Sequence, residues 1–161
     1  MTIFSLLFLA FLFVSVAAAA PGDLDPGFGS GGIARTPIGK ISADYGYAAA
    51  LQPDGKIIIA GTSADGLRQN LFVSRLNADG TLDNTFGVGG KSVKIVGFSV
   101  SYASAVAIQP DGKIITGRVG RCPTSFTNCF TLVRFSPNGS VDNSFGTNGV
   151  VQTTFDAQQL D

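Results

Sequence analysis

A six-residue phrase returns along this chain at an almost fixed interval. Leu24-Asp25-Pro26-Gly27-Phe28-Gly29 reappears as Leu82-Asp83-Asn84-Thr85-Phe86-Gly87, and again as Val141-Asp142-Asn143-Ser144-Phe145-Gly146. Leu24 to Leu82 is a step of 58 residues, and Leu82 to Val141 a step of 59. A second phrase, Gln52-Pro53-Asp54-Gly55-Lys56-Ile57-Ile58, recurs 57 residues later as Gln109-Pro110-Asp111-Gly112-Lys113-Ile114-Ile115. A constant period of this length means that one supersecondary unit is built repeatedly and buries its faces against its neighbours, as in stacked or radial repeats.

Within one period the pattern is of short strands and tight turns. Pro53-Asp54-Gly55 places Pro at the first central position of a turn with Gly beyond it, between apolar segments, and so predicts a β-hairpin. Its return strand, Ile57-Ile58-Ile59-Ala60, does not alternate and reads as buried on both faces. Residues 71–76 and their copy 130–135 give another strand, ended by Ala78-Asp79-Gly80 or Pro137-Asn138-Gly139. Residues 91–96, just after the LDxxFG phrase, are β-prone and are read as opening the next unit.

Four strands per period, 21 glycines, many β-branched residues and repeated turn dipeptides predict an all-β repeat protein of antiparallel four-stranded blades, a partial or incomplete β-propeller. The coils of a β-solenoid are normally shorter than this period. The repeats are placed at residues 22–78, 79–137 and, truncated, 138–161. One irregularity stands out: Ile57-Ile58-Ile59-Ala60-Gly61 becomes Ile114-Ile115-Thr116-Gly117, one residue shorter. A slip of one would turn every later side chain to the other face. The expectation is that a bulge or the following loop absorbs it, leaving Gly117 where Gly61 sits.

Ahead of the repeats, Ile3 to Val16 is apolar, followed by four alanines and then Pro21-Gly22-Asp23. This reads as a secretory signal peptide over residues 1–20, with an uncleaved anchor as the rival reading. No Lys or Arg precedes the apolar run. The expected location is secreted or cell-envelope, with no membrane span after cleavage.

Composition narrows the function classes. Eleven basic and eleven acidic side chains cancel, which argues against a nucleic-acid partner. His is absent, and with it the commonest general base and transition-metal ligand. Cys122 and Cys129 fall in a variable loop of the second copy. In an exported protein they are expected to form a disulfide, since six intervening residues make no C-x-x-C redox motif and further soft metal ligands are lacking.

Arg75 and Arg134 each precede Asp83 and Asp142 by the same eight residues, so repeated Arg–Asp pairs are expected. They would tie one unit's last strand to the next unit's LDxxFG element by bidentate hydrogen bonds. Asn77, Asp79 and Asp83 space oxygen side chains around a Gly in faint imitation of a Ca²⁺ loop. They lack a bidentate closing ligand, and Asp79 becomes Asn138 in the next copy, so turn chemistry is the stronger reading. Phe28, Phe86 and Phe145 are expected to anchor the core at unit junctions. No catalytic, cofactor-binding or metal-binding residue is assigned.

The phrases LDxxFGxxG, then Ala48-Ala49-Ala50-Leu51-Gln52-Pro53-Asp54-Gly55-Lys56-Ile57-Ile58-Ile59-Ala60-Gly61, then a strand with Arg and an N-x-D-G turn, resemble the delta-60 repeat. The resemblance covers residues 22–161 and implies a bacterial, secreted or surface-associated, propeller-forming chain. It implies no shared activity and supplies no catalytic residues. Such chains usually carry many copies, and a closed propeller needs about four blades. A fragment of something larger is therefore expected here, with self-association through open sheet edges as another outcome. The functional expectation is a non-catalytic scaffold that binds a protein or polysaccharide. The alternative is a fragment of a carbohydrate-active propeller enzyme using two aspartates within about 10 Å of each other.

Overall fold

The computed structural model describes residues 20–38, 44–65, 68–96, 102–122 and 128–154. The apolar run read as a signal peptide, residues 1–19, lies outside them. The strands are β1 (Asp44–Leu51), β2 (Ile57–Asp65), β3 (Arg68–Leu76), β4 (Lys91–Lys94), β5 (Tyr102–Ile108), β6 (Ile114–Arg121), β7 (Asn128–Phe135) and β8 (Val150–Thr153). They make two four-stranded sheets, ordered β1-β2-β3-β4 and β5-β6-β7-β8, with every pairing antiparallel.

Each Pro-Asp-Gly phrase closes a hairpin. Gln52 N–H donates to the Lys56 carbonyl at 2.8 Å and Gly55 N–H to the Gln52 carbonyl at 3.0 Å. Gln109, Lys113 and Gly112 repeat these bonds at 2.8 and 2.9 Å. The Asp side chain fixes the turn from inside, accepting from the N–H two residues on, Lys56 in the first copy and Lys113 in the second. β1 and β5 also carry the same irregularity, a register shift between Gly46 and Ala48 and between Ala103 and Ala105. An extra residue there bends the first strand of each sheet.

The phase of the sheets differs from the phase read in the sequence. Residues 91–94 pair with 71–74, so this segment closes a sheet instead of opening one. The LDxxFG phrase therefore lies between the third and fourth strands of a single sheet, carrying the chain across from β3 to β4 and from β7 to β8. A period has no intrinsic starting point, and the repeated phrases alone do not say where the cut falls.

The register of β6 also differs from expectation. Gly117 faces Leu132 and Ala105, just as Ala60 faces Val73 and Ala48. Gly117 thus occupies the place of Ala60, and Arg118 that of Gly61. No bulge in β6 or shift in the loop is needed, because the two strands align without a gap and only the glycine has moved.

The core lies between the two sheets, where β1 and β2 rest against β5. Ile58, Ala60, Leu71 and Val73 of the first sheet form one buried cluster with Ile114, Val133 and Phe135 of the second, joined by Phe86 and Val96. Ile57 and Ile59, on the other face of β2, are only half-buried, so the return strand is not covered equally on both sides. In β1, Ala48 and Ala50 lie opposite the buried Ala60 and Ile58, while β5 turns Val106 and Ile108 toward the core. Among the described residues no helix is long and apolar enough to cross a membrane.

Candidate functional site

The polar chemistry of each repeat converges on the Asp of the LDxxFG phrase. Asp83 is nearly buried, with 4% of its surface exposed. Its Oδ2 accepts from Arg75 Nε at 2.7 Å and from Lys56 Nζ at 2.7 Å. Its Oδ1 takes the Thr85 N–H at 3.0 Å and the Thr85 hydroxyl at 2.6 Å. Burial pushes this carboxyl up, but the bonds from Lys56, Thr85 and Arg75 together outweigh it and hold the group well below the usual carboxylate range.

Asp142 repeats the arrangement. It accepts from Ser144 Oγ at 2.6 Å and from Arg134 Nε at 2.9 Å, with Lys113 Nζ at 3.3 Å. The Ser144 hydroxyl is the main cause of its low pKa, working against partial burial and helped by the Ser144 N–H, Lys113 and Arg134.

The Arg–Asp spacing of eight residues thus brings each pair together, with a geometry unlike the one expected. Only Nε reaches the carboxylate, so the contact is not bidentate. The other nitrogens of Arg75 spread outward, Nη2 to Thr85 Oγ1 at 3.3 Å and Nη1 to the Pro137 carbonyl at 2.9 Å, while the guanidinium lies 4.7 Å from the Phe86 ring centroid. Both members of each pair belong to one sheet and its own connection. Beyond its pair, Arg75 also reaches the neighbouring sheet through the Pro137 carbonyl. Lys56 and Lys113 were not anticipated in this cluster, although their recurrence beside the turn Asp was visible in the sequence.

The LDxxFG phrase also docks on the Asx-Gly turn of the following copy. Gly29 N–H donates to the Asp79 carbonyl, and Gly87 N–H to the Asn138 carbonyl, each at 2.7 Å. Gly139, at φ 89°, lies under the Phe86 ring, where a Cβ would come within 3.0 Å of the ring and 2.8 Å of Gly87 N. Glycine is therefore required there by both backbone and space. Phe86 is fully buried, whereas Phe28 and Phe145 are only half-buried, so the aromatic anchor is complete only where a sheet stands on both sides.

Beside each docking point lies a cleft. The first, of about 660 Å³, is lined by Ser30, Ile33, Arg35, Thr81 and neighbours. The second, of about 590 Å³, is lined at corresponding positions by Val88, Lys91, Val93 and Ser140. The backbone frame repeats while the side chains change.

Two other candidates resolve differently. Cys122 and Cys129 are joined in a disulfide with Cα atoms 5.5 Å apart, at the far end of the β6–β7 pair. Asp79 is spent on its own turn, accepting from the Thr81 N–H at 2.9 Å and the Thr81 hydroxyl at 2.6 Å, and these bonds lower its pKa. Among the described residues no cluster of His, Cys, Asp or Glu could hold a metal ion.

Arg118 was also missed by sequence reasoning. It is 1% exposed on the face of β6 shared with Ile114, and all three guanidinium nitrogens lack hydrogen-bond partners. Burial pushes its pKa down from the ordinary value.

Residues 52–86 and 109–145 match a family model described as a domain of unknown function (DUF5122) beta-propeller. Each match runs from the hairpin turn to the Phe of the LDxxFG phrase, through the strands and the ion cluster described above. No curated protein and no solved structure matches the chain significantly. The repeat is of β-propeller type, carried among the described residues on two antiparallel four-stranded sheets that do not close into a ring.

Proposed function

We propose that the chain is an exported, non-catalytic module of the delta-60 repeat kind that acts as a structural or binding scaffold for a protein or polysaccharide surface. The observation that carries this reading is the pair of junction clefts, which keep one frame and vary their lining from Ser30, Ile33 and Arg35 to Val88, Lys91 and Val93. Repeat scaffolds bind in this manner, through a constant frame that presents changing side chains. The repeated aspartates Asp83 and Asp142 are occupied by internal cations and hydroxyls. The Cys122–Cys129 disulfide fits an oxidising, extracytoplasmic compartment.

Binding of the purified chain to immobilised neutral and acidic polysaccharides tests the reading. At least one surface should retain the chain, and Arg35→Ala or Lys91→Ala should weaken retention without releasing reducing ends. Steady release of reducing ends, abolished by replacing an aspartate, would sink the scaffold reading in favour of a carbohydrate-active enzyme.

A further inference from the structure

The second sheet departs from the first at one spot on a single face. Where the first copy pairs Gly61 with Phe72, the second pairs Arg118 with Thr131. The Phe72 ring fills the space over Gly61, where a Cβ would come within 2.7 Å of it. Thr131 is smaller than Phe and leaves room for a long side chain, which Arg118 supplies. Two residues before Thr131, Cys129 stands where the first copy has Asn70. Side chains two apart on a strand share a face, as do directly opposed partners, so Arg118, Thr131 and Cys129 lie together.

All three are buried. Cys129 Sγ lies 3.9 Å from Thr131 Oγ1, and because a disulfide sulfur carries no hydrogen the Thr131 hydroxyl is the donor. Thr131 stands directly across from Arg118, and Cβ atoms so paired are about 4.5–5.5 Å apart, which puts the sulfur within reach of an arginine side chain. The described surroundings hold no anion. The first sheet presents Ala60, Thr62, Leu71 and Val73 on the facing side, β5 adds Val106 and Ile108, and β8 adds Gln152, whose amide donates to Thr131 Oγ1 at 3.4 Å. The ion-paired Asp83, Asp111 and Asp142 sit at the opposite, hairpin end of the sheets. The Arg118 guanidinium is thus a buried cation without a counter-charge, beside the one group that becomes an anion when it is reduced.

We propose that the Cys122–Cys129 bond is a thiol–disulfide exchange site, in which Arg118 stabilises the Cys129 thiolate released on reduction. A disulfide whose reduced form is stabilised is the easier one to reduce. The co-reactant is a dithiol, which supplies both electrons. One of its thiolates attacks Cys122 Sγ, on the more exposed residue of the pair, 8% against 2%. A mixed disulfide forms there, and the Cys122–Cys129 bond breaks with its electron pair on Cys129 Sγ. The second thiol of the reductant then displaces Cys122, which takes up that thiol's proton. The products are an oxidised dithiol, a Cys122 thiol and a Cys129 thiolate, with one proton released to water. This inference is independent of what the clefts bind.

The test equilibrates the full, oxidised chain with graded mixtures of reduced and oxidised dithiothreitol, near pH 7 and near pH 8, and traps the thiols for mass measurement. The ratio of reduced to oxidised chain should rise about tenfold between the two, because reduction releases one proton while Cys129 stays ionised. In Arg118→Met the ratio near pH 7 should fall roughly tenfold or more, and most of its rise with pH should disappear, as ordinary thiols titrating near about 8.5 require. Arg118→Lys, which keeps the charge, should recover much of both. Ultraviolet thiolate absorbance of the reduced parent should titrate well below that ordinary value for one of its two thiols. Three results would each overturn the proposal: a parent ratio indifferent to pH, equal ratios for the parent and an Arg118→Met chain that melts no lower, or a disulfide that resists dithiothreitol until the chain is unfolded.

Discussion

At Asp83 a single carboxylate receives a guanidinium, an ammonium and a hydroxyl while nearly shielded from water. Its folded pKa is depressed, so its stabilising contribution is fully present above the ordinary value of 3.8 and is lost as pH falls below it. Urea unfolding at pH 7 and at pH near 3 should show the parent losing stability on acidification, and Asp83→Asn should be weaker at pH 7 but lose less between the two. Arg75→Ala should cost about 1 kcal/mol more than Arg134→Ala, because only Arg75 also reaches the neighbouring sheet, through the Pro137 carbonyl; denaturation midpoints of the two variants would decide this. Arg118 acts in the opposite sense. A buried guanidinium without partners is costly, and Arg118→Met should stabilise the chain by about 1–4 kcal/mol, read as a raised thermal midpoint. The Arg–Asp pairing was legible because both partners are close in sequence and recur together. The burial of Arg118 was not, because nothing in Thr116-Gly117-Arg118-Val119-Gly120-Arg121 marks which face of β6 turns toward the first sheet.

The hairpins show how much of an element can be written into a few residues. Pro, Asp and Gly each fix one feature of the turn, and the strands on either side follow. The disulfide was equally legible, being a local pair across the ends of a variable loop, and it closes the β6–β7 connection. Replacing Cys122 and Cys129 together by Ser should cost about 2.5 kcal/mol in the chain-entropy account, measured by urea unfolding against the disulfide-bonded parent. Contacts between elements were harder to foresee. Gly139 was read as an ordinary turn glycine, yet it lies beneath Phe86 from the preceding copy. Gly139→Ala should cost about 1–3 kcal/mol from the backbone alone, with the ring contact adding to it. The shift of Gly117 into the place of Ala60 has a similar origin, since the register of a strand is set by its partners and not by where its glycine falls.

For the whole molecule, the sequence revealed the period but not its phase. Each sheet takes its fourth strand from beyond an LDxxFG phrase, so among the described residues the repeated phrases become two four-stranded blades. The ion cluster and the fourth strand are assembled together at both copies that have a third strand beside them. At residues 24–38, where among the described residues no such strand lies, Leu24 is exposed and Asp25 has no cation among those residues. The central claim is that the LDxxFG phrase fixes a loop whose following segment becomes a strand only when a third strand is there to receive it. Amide hydrogen exchange on the isolated chain tests it most directly, because strand pairing protects amides and an open edge does not. The account predicts strong protection in residues 91–94 and 150–153, and near-free exchange in the equivalent residues 33–36. Equal protection of all three segments would contradict it.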